Sequence, residues 1–215
     1  MRMRRRKNLA ARMERTADWL VRAPEEYAGR WRSIIPAGLA ETAETGPRLL
    51  VELGCGMGRF ACDTARANPD KTIVALERVP GAVVVGMERA RRENIRNLRF
   101  ILGDVQNIGK IFAPGEIGGL YIHFCDPWPH RKHAPRRLVA RNFLQIYRPL
   151  LAQSGILRFK TDNAALFAFA RKELAAGGWT VTDCDQNSPP EAVMTEYEAK
   201  FRAQGVPIGA LTATP

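Results

Sequence analysis

Residues 48–60, RLLVELGCGMGRF, join an apolar segment to a helix through a glycine-rich loop. The run 48–53 is largely apolar, which predicts a buried strand. Loop 54–58 is too rich in glycine to continue that strand, and a helix is predicted to follow it through about Ala67. A glycine loop of this kind lets the backbone approach a ligand without a clash of side chains.

The order of strand, loop and helix repeats along the rest of the chain. Strands are predicted over 48–53, 72–77, 98–102, 118–125, 155–161, 179–183 and 207–212, and the longer helices over 80–94, 135–151, 163–176 and 191–204. This alternation predicts an α/β fold with a doubly wound, mostly parallel sheet of seven strands and helices on both faces. Before the sheet, a short helix is predicted over 8–21, and Tyr27, Trp31 and Ile34 are spaced to face the core.

The chain is strongly basic. Its 215 residues carry a formal net charge of +11, and an arginine-rich cluster, MRMRRRK, occupies residues 1–7. A basic balance favours a polyanionic partner, most often a nucleic acid, although charge can also serve solubility alone. We expect residues 1–23 to form a basic, partly disordered N-terminal arm and residues 24–215 to form a single domain.

The four cysteines are scattered, which indicates reduced thiols in a cytoplasmic protein. The sequence contains no CxxC pair, and its three histidines complete no zinc pattern, so no metal is expected. Apolar runs are all shorter than a membrane span, and the start lacks the apolar region of a secretory signal. A membrane partner is therefore not expected.

Carboxylates stand at or just after the ends of five consecutive predicted strands. They are Glu52, Glu77, Asp104, Asp126 and Asp162. Ligands of doubly wound sheets bind beyond the carboxyl ends of the strands, so these side chains are expected to lie at one site. The alternative interpretation is that they are solvent-exposed acids at the starts of loops.

The glycine loop and two of these acids favour a nucleoside ligand that has no pyrophosphate. Glu77 stands about 20 residues after the loop, where an acid suits the hydroxyls of a ribose. Asp104 can accept a hydrogen bond from an exocyclic amine such as that of adenine. Arg59 occupies the place where a dinucleotide fingerprint has its last glycine, which disfavours NAD. Together these features suit S-adenosylmethionine (SAM).

Residues 121–137, YIHFCDPWPHRKHAPRR, combine an acid, an indole and a basic run. The two prolines around Trp128 end the preceding strand and stiffen the turn that carries Asp126. An acid, a flat aromatic and several cations suit chemistry on a base attached to a phosphate backbone. A proline turn followed by a solvated basic face is the alternative.

Four segments resemble bacterial tRNA (guanine-N7)-methyltransferases in the order of that family. They are VELGCGMGRF (51–60), DPWPHRKHAPRR (126–137), FKTDN (159–163) and TEYEAKF (195–201). The resemblance implies a Rossmann-like SAM-dependent methyltransferase fold. It also implies transfer of a methyl group from SAM to N7 of guanine 46 in the variable loop of tRNA, by a monomer or homodimer.

The resemblance also implies roles for individual residues. SAM would be contacted by Glu52, Gly54, Gly56, Gly58, Glu77, Asp104 and Asp126, and Asp126 would also be catalytic. The substrate would be contacted by His130, Asp162, Thr195, Glu196, Tyr197 and Glu198. The basic run, rather than the resemblance, supplies the candidates for the RNA backbone, which are Arg131, Lys132, Arg136 and Arg137. His130 departs from the pattern, because the family usually has lysine there.

Several alternatives stay open. Thr195 and Glu198 have the spacing of a helix capping box, and Trp128 either stacks on a base or packs within its loop. The DPWP tetrapeptide also resembles the proline turn of amino-methyltransferases, so methylation of an amine on another RNA base or a protein is the alternative activity. A non-catalytic RNA-binding protein that has kept the fold is a further alternative.

Overall fold

The computed structural model describes residues 6–34 and 49–215. The beginning of the arginine-rich cluster, residues 1–5, and the segment 35–48 lie outside the described residues, as does the first residue of the predicted strand 48–53.

The described strands are β1 Leu20–Val21, β2 Leu49–Leu53, β3 Thr72–Glu77, β4 Leu98–Leu102, β5 Ile117–His123, β6 Leu151–Thr161, β7 Thr180–Asp185 and β8 Gly209–Thr214. The α-helices are α1 Leu9–Arg15, α2 Arg59–Ala67, α3 Pro80–Arg92, α4 Ile108–Ile111, α5 Arg141–Tyr147, α6 Ala164–Ala176 and α7 Glu196–Ala203. Short 3₁₀ turns cover Ala17–Trp19, Pro24–Tyr27, Trp31–Ile34, Val105–Asn107, Arg131–Arg136 and Arg148–Leu150. None of the helices in this part of the chain has the length and apolar character needed to cross a membrane.

All described strands form one sheet in the order β1-β4-β3-β2-β5-β6-β8-β7. Strands β1 to β6 pair in parallel, whereas β8 runs antiparallel between β6 and β7. The strand order reverses between β2 and β5, and the carboxyl ends of strands beside such a switch point form the usual binding crevice.

The core lies in two layers, one on each face of the sheet. One layer contains Trp31, Phe112 and Tyr147, and the other contains Met87 and Phe100. Every residue of β2 is buried, as expected for a central parallel strand that helices cover on both faces. The core-facing position predicted for Trp31 is confirmed, and its indole Nε1 donates to the Ile111 carbonyl at 2.8 Å.

The sheet has one strand more than the seven predicted. The helix predicted over 8–21 ends at Arg15, and the chain then extends so that Leu20 pairs with Phe100 of β4. This correction has a tertiary cause. The indole Nε1 of Trp19 donates to the Ile95 carbonyl at 2.7 Å, and this hydrogen bond holds the chain beside strand β4.

The described part of the basic arm packs on the domain. Arg12 of α1 makes a bidentate ion pair with Glu88 of α3, with distances of 2.7 and 2.6 Å. Leu9 and Met13 pack against the second core layer. Arg6 lies 3.8 Å from the sulfur of Met57, so the arm reaches the glycine loop.

Two predicted helices are shorter in the structure. The helix predicted over 135–151 is replaced by a 3₁₀ turn at Arg131–Arg136 and by α5, which begins only at Arg141. Pro135 lies inside that turn, and proline does not continue a regular α-helix. The helix predicted over 191–204 begins at Glu196, because Thr195 caps it there.

Candidate active site

The five predicted carboxylates lie at or just after the ends of neighbouring strands, at one edge of the sheet. Across that edge they belong to β4, β3, β2, β5 and β6 in spatial order, as Asp104, Glu77, Glu52, Asp126 and Asp162. Of these, Glu52 is buried while Asp126 and Asp162 are exposed. Asp104 is exposed as well, so this edge is buried only at its centre, at β2, and we call its part at β5 and β6 the open end.

The glycine loop leaves open space in front of it. Gly54, Gly56 and Gly58 have φ values of 73°, 54° and 73°, a conformation that other residues rarely adopt. A Cβ at Gly54 or Gly56 would meet nothing within 4 Å, whereas a Cβ at Gly58 would lie 2.9 Å from the ring of Phe100. The first two glycines thus keep room for a ligand, and the third allows α2 to approach β4.

Glu77 shapes this loop directly. Its Oε2 accepts the N–H of Gly56 at 3.1 Å, and its Oε1 accepts the N–H groups of Arg78 and Val79, both at 2.9 Å. The carboxylate at the end of β3 therefore joins the glycine loop to the start of α3. The sequence predicted a ribose contact at Glu77 but gave no sign of this second role.

Glu52 is a buried acid with an unsatisfied atom. Its Oε2 has no hydrogen-bond partner among the described residues. Burial above all, and then the negative charges of Glu196 and Glu77, raise the pKa of Glu52 well above its ordinary value, while the backbone of Ala61 opposes the shift.

Asp104 caps the turn that follows β4. Its Oδ1 accepts the N–H of Gln106 at 2.9 Å. This contact uses one carboxylate oxygen and orients the side chain at the edge.

The loop that carries Asp126 is held in an unusual backbone conformation. Phe124 and Trp128, on either side of Asp126, have φ values of 51° and 42°. Positive φ in bulky residues costs energy and persists where the surroundings enforce it. Here Arg137 donates from Nε to the Pro127 carbonyl and from its terminal nitrogen to the Trp128 carbonyl, both at 3.0 Å.

Comparison with known proteins identifies the family. A family model described as "Putative methyltransferase" matches residues 47–211. The chain is 38% identical over 167 residues to the tRNA (guanine-N(7)-)-methyltransferase of Macrococcus caseolyticus, covering 76% of this chain and 80% of that one. It is 32% identical over 209 residues to the protein of the same name from Bacillus cytotoxicus, covering 95% and 93%. The chain belongs to the tRNA (guanine-N(7)-)-methyltransferase family.

This assignment confirms the resemblance found in the sequence. A solved structure of a 16S rRNA (adenine(1408)-N(1))-methyltransferase from Catenulisporales acidiphilia, with cosubstrate SAM, is similar with a TM-score of 0.60 and 15% identity, covering 88% of this chain and 90% of that one. At this identity the similarity concerns the fold alone, and it confirms the predicted Rossmann-like methyltransferase fold.

In this member of the tRNA (guanine-N(7)-)-methyltransferase family, most of the basic run beside Asp126 faces solvent. His130, Arg131, Lys132 and Arg136 are exposed. The guanidinium carbon of Arg136 lies 5.1 Å from the centre of the Trp128 ring. Arg137 is the exception, because it holds the loop and its guanidinium lies 4.3 Å from the centre of the Phe169 ring.

Helix α7 brings the predicted substrate residues to the open end of the edge. The Oγ1 of Thr195 accepts the N–H of Glu198 at 2.9 Å, which is the first half of a capping box. The second half is absent within this fully described helix, because the Glu198 carboxylate turns inward to Lys160 and Arg202. Tyr197 is 49% exposed, and its ring lies 6.4 Å from that of Phe124 and nearly parallel to it.

Two buried residues near the site were missed by the sequence reasoning. Lys160, in the middle of FKTDN, is fully buried, and His123, the last residue of β5, is 5% exposed. Neither ring nitrogen of His123 has a hydrogen-bond partner among the described residues. A charged and a polar residue inside otherwise apolar strands were the signals that could have revealed them.

The described residues contain no cluster of three or more metal-binding side chains. All four cysteines are free thiols. Burial raises the pKa of Cys125, next to Asp126, to about 12, and the charge of Asp126 adds to the effect. This cysteine is therefore a neutral thiol at physiological pH.

Proposed function

We propose that the protein transfers the methyl group of SAM to N7 of a guanine in tRNA, at position 46 of the variable loop. One observation carries the proposal: in a chain of this family, an open glycine loop, a buried acid and an exposed Asp126 meet at one edge of the sheet. The exposed basic residues beside that edge support an RNA substrate.

The residues at the β2, β3 and β4 part of the edge fit SAM. Gly54 and Gly56 face open space, and Glu52 has a buried oxygen without a partner. Glu77 ends β3 and Asp104 comes just after β4, and we assign them to the ribose and the adenine. When bound, SAM supplies an electrophilic methyl group on a sulfonium sulfur. Glu52, Gly54, Gly56, Gly58, Glu77, Asp104 and Asp126 would hold it.

Asp126 is the catalytic residue in this proposal. N7 of guanine carries an in-plane lone pair, so the protein needs no general base to create the nucleophile. The main tasks are alignment of the reacting groups and stabilisation of the positive charge that develops on the purine. The Asp126 carboxylate is 67% exposed and is therefore accessible to a purine at the open end of the edge.

The open end would bind the nucleotide. Asp162 and Glu196 can accept hydrogen bonds from guanine N1–H and its exocyclic amine, the edge that separates guanine from adenine. The exposed ring of Tyr197 offers a stacking surface, and Thr195 orients the start of α7. His130, Arg131, Lys132 and Arg136 would contact phosphates. N7 of guanine 46 is engaged in the folded tRNA core, so the nucleotide must be opened or flipped.

The test uses labelled SAM and an unmodified tRNA transcript, with a second transcript carrying adenine at position 46 as the matched control. The proposal predicts label in the first transcript only, and nuclease digestion should yield 7-methylguanosine. Label on an exocyclic amine would instead favour the amino-methyltransferase alternative. Tight tRNA binding without SAM binding, measured by calorimetry, would favour a non-catalytic RNA-binding protein.

A further inference from the structure

Lys160 lies where three parts of the candidate site meet. Its carbonyl accepts the N–H of Phe124 at 2.9 Å, two residues before Asp126. Its Nζ donates to both carboxylate oxygens of Glu198 in α7, at 3.2 and 3.1 Å. Two residues after Lys160 comes Asp162. One side chain and its peptide group therefore connect the Asp126 loop, α7 and the end of β6.

The contact with α7 is an ion pair removed from solvent. The side chains of Lys160 and Glu198 are each 1% exposed. Lys160 also lies 3.3 Å from Glu191, and Arg202 lies 2.8 Å from Glu198. In such surroundings charge pairs are strong and directional, and removal of one partner leaves an uncompensated buried charge.

Helix α7 depends on this pair for its placement. An amphipathic helix is usually fixed by a stripe of apolar residues, yet Glu198 is the one buried residue in the fully described span Glu196–Ala203. A helix of this length has little stability of its own. The Lys160–Glu198 pair is therefore the fully buried contact that holds α7 on the domain.

A second contact joins the Asp126 loop to α7. The ring of Phe124 lies 5.9 Å from that of Phe201 and 6.4 Å from that of Tyr197, at interplanar angles of 27° and 21°. The backbone carbonyl of Lys160 binds Phe124 and its side chain binds Glu198, so residue 160 contacts the elements on both sides of this aromatic contact.

We propose that Lys160 is a positioning residue for the RNA substrate, which sets Thr195, Glu196 and Tyr197 against Asp126. This rests on the proposed function. It differs from a purely stabilising role, in which loss of Lys160 would lower activity only by unfolding the protein. In the positioning role, a folded variant without the ion pair binds SAM normally but presents α7 poorly to tRNA.

The test compares Lys160→Met with the double variant Lys160→Met/Glu198→Gln. The single variant leaves the buried Glu198 carboxylate with Arg202 but without its fully buried partner and should lower Tm, whereas the double variant removes both buried charges and should recover much of the Tm. In the double variant the KM for tRNA should stay raised about tenfold, a loss typical of one or two substrate hydrogen bonds. Its Kd for SAM should stay within about twofold of wild type.

Arg89→Met is the matched control. Arg89 makes partly buried ion pairs, both at 3.0 Å, with Asp63 of α2 and with Glu93 at the end of its own helix α3. Its loss should lower Tm while leaving the KM for tRNA unchanged. Glu198→Gln alone, which keeps Lys160 paired with Glu191, should show a smaller rise in KM without a large loss of Tm.

Hydrogen exchange supplies a readout independent of activity. Amides of α7 should exchange faster in the double variant and at the wild-type rate in Arg89→Met. A KM for tRNA that returns to wild type together with Tm, or unchanged exchange in α7, would overturn the positioning role. Failure of the wild-type protein to methylate tRNA would instead overturn the proposed function, and the exchange experiment would still decide whether Lys160 fixes α7.

Discussion

The guanidinium of Arg78 lies 3.5 Å from Oδ2 of Asp126 and so connects the end of β3 to the loop after β5. The two side chains are 57% and 67% exposed. An ion pair this exposed contributes roughly 0–1 kcal/mol to stability. Asp126 can therefore be replaced without a large effect on folding, which allows its role in the reaction to be measured.

Asp126→Asn should reduce the rate of methyl transfer by roughly 100- to 1,000-fold, because the neutral amide stabilises the developing positive charge far less. The free energy of unfolding should change by less than about 0.5 kcal/mol. Single-turnover kinetics with saturating tRNA and SAM measure the first quantity, and urea unfolding measures the second. Asp70→Asn, in the loop before β3 at the opposite edge of the sheet, is the matched control. A rate within a few-fold of wild type would remove Asp126 from the catalytic role.

Glu52→Gln should stabilise the protein in a pH-dependent way. Burial, followed by the charges of Glu196 and Glu77, raises the pKa of Glu52, so between the ordinary carboxyl pKa and the raised one the unfolded chain loses a proton that the folded protein keeps. Stability therefore falls as the pH rises through this window. The variant lacks this loss, and its Tm should exceed that of wild type by a margin that grows from pH 5 to pH 8.

The same substitution tests the cofactor assignment. If Glu52 contacts SAM, calorimetry should show binding weakened by about tenfold, the cost of a lost hydrogen bond to a charged group. A Tm difference that does not vary with pH would contradict the raised pKa of the buried Glu52. Unchanged SAM affinity would contradict its place in the cofactor site.

The parts of the site that follow from local pattern could be predicted from the sequence. Glycines after an apolar strand specify a loop, and parallel strands place the residues that follow them at one edge, so Glu52, Glu77 and Asp126 could be brought together without a structure. The fold followed from the same alternation of strands and helices.

The parts that depend on distant partners could not be predicted. The inward turn of Glu198 depends on Lys160, 38 residues away in the chain. Strand β1 forms because Leu20 pairs with Phe100 of β4. The local sequence alone predicts a full capping box at Thr195 and Glu198 and a helix over 8–21. In the structure, tertiary contacts replace the second half of the capping box and the second half of that helix.

His123→Leu should remove an acid-sensitive component of stability. Burial first, and then the positive charges of Lys160 and Arg158, lower the pKa of His123 well below its ordinary value. Below about pH 6.5 His123 binds a proton in the unfolded chain but not in the folded protein. Stability therefore falls as the pH drops from that value toward the lowered pKa. The variant should lose less stability than wild type between pH 7 and pH 5.

The variant should also gain about 1 kcal/mol at neutral pH, because the two unpartnered ring nitrogens are removed. Urea unfolding across the pH range checks both effects. His130→Leu, which removes an exposed imidazole, is the matched control. Equal pH dependence in His123→Leu and wild type would show that His123 is not the buried neutral group described.

Arg136 and Arg137 are neighbours in the chain, and their loss should have different kinetic effects. Arg137 holds the carbonyls of Pro127 and Trp128, both at 3.0 Å, so Arg137→Met should loosen the loop and lower kcat by about tenfold or more through misplacement of Asp126. Arg136 is exposed above the Trp128 ring, so Arg136→Met should raise the KM for tRNA and leave kcat close to wild type.

Salt dependence separates these two roles. A cation that neutralises a phosphate contributes about one unit to the slope of log affinity against log salt. Steady-state kinetics at roughly 50 to 200 mM salt should therefore show a shallower slope for Arg136→Met and the wild-type slope for Arg137→Met. If Arg137→Met also flattened the slope at unchanged kcat, Arg137 would be an RNA contact, as the basic run in the sequence predicted, because a residue that only supports the loop neutralises no phosphate.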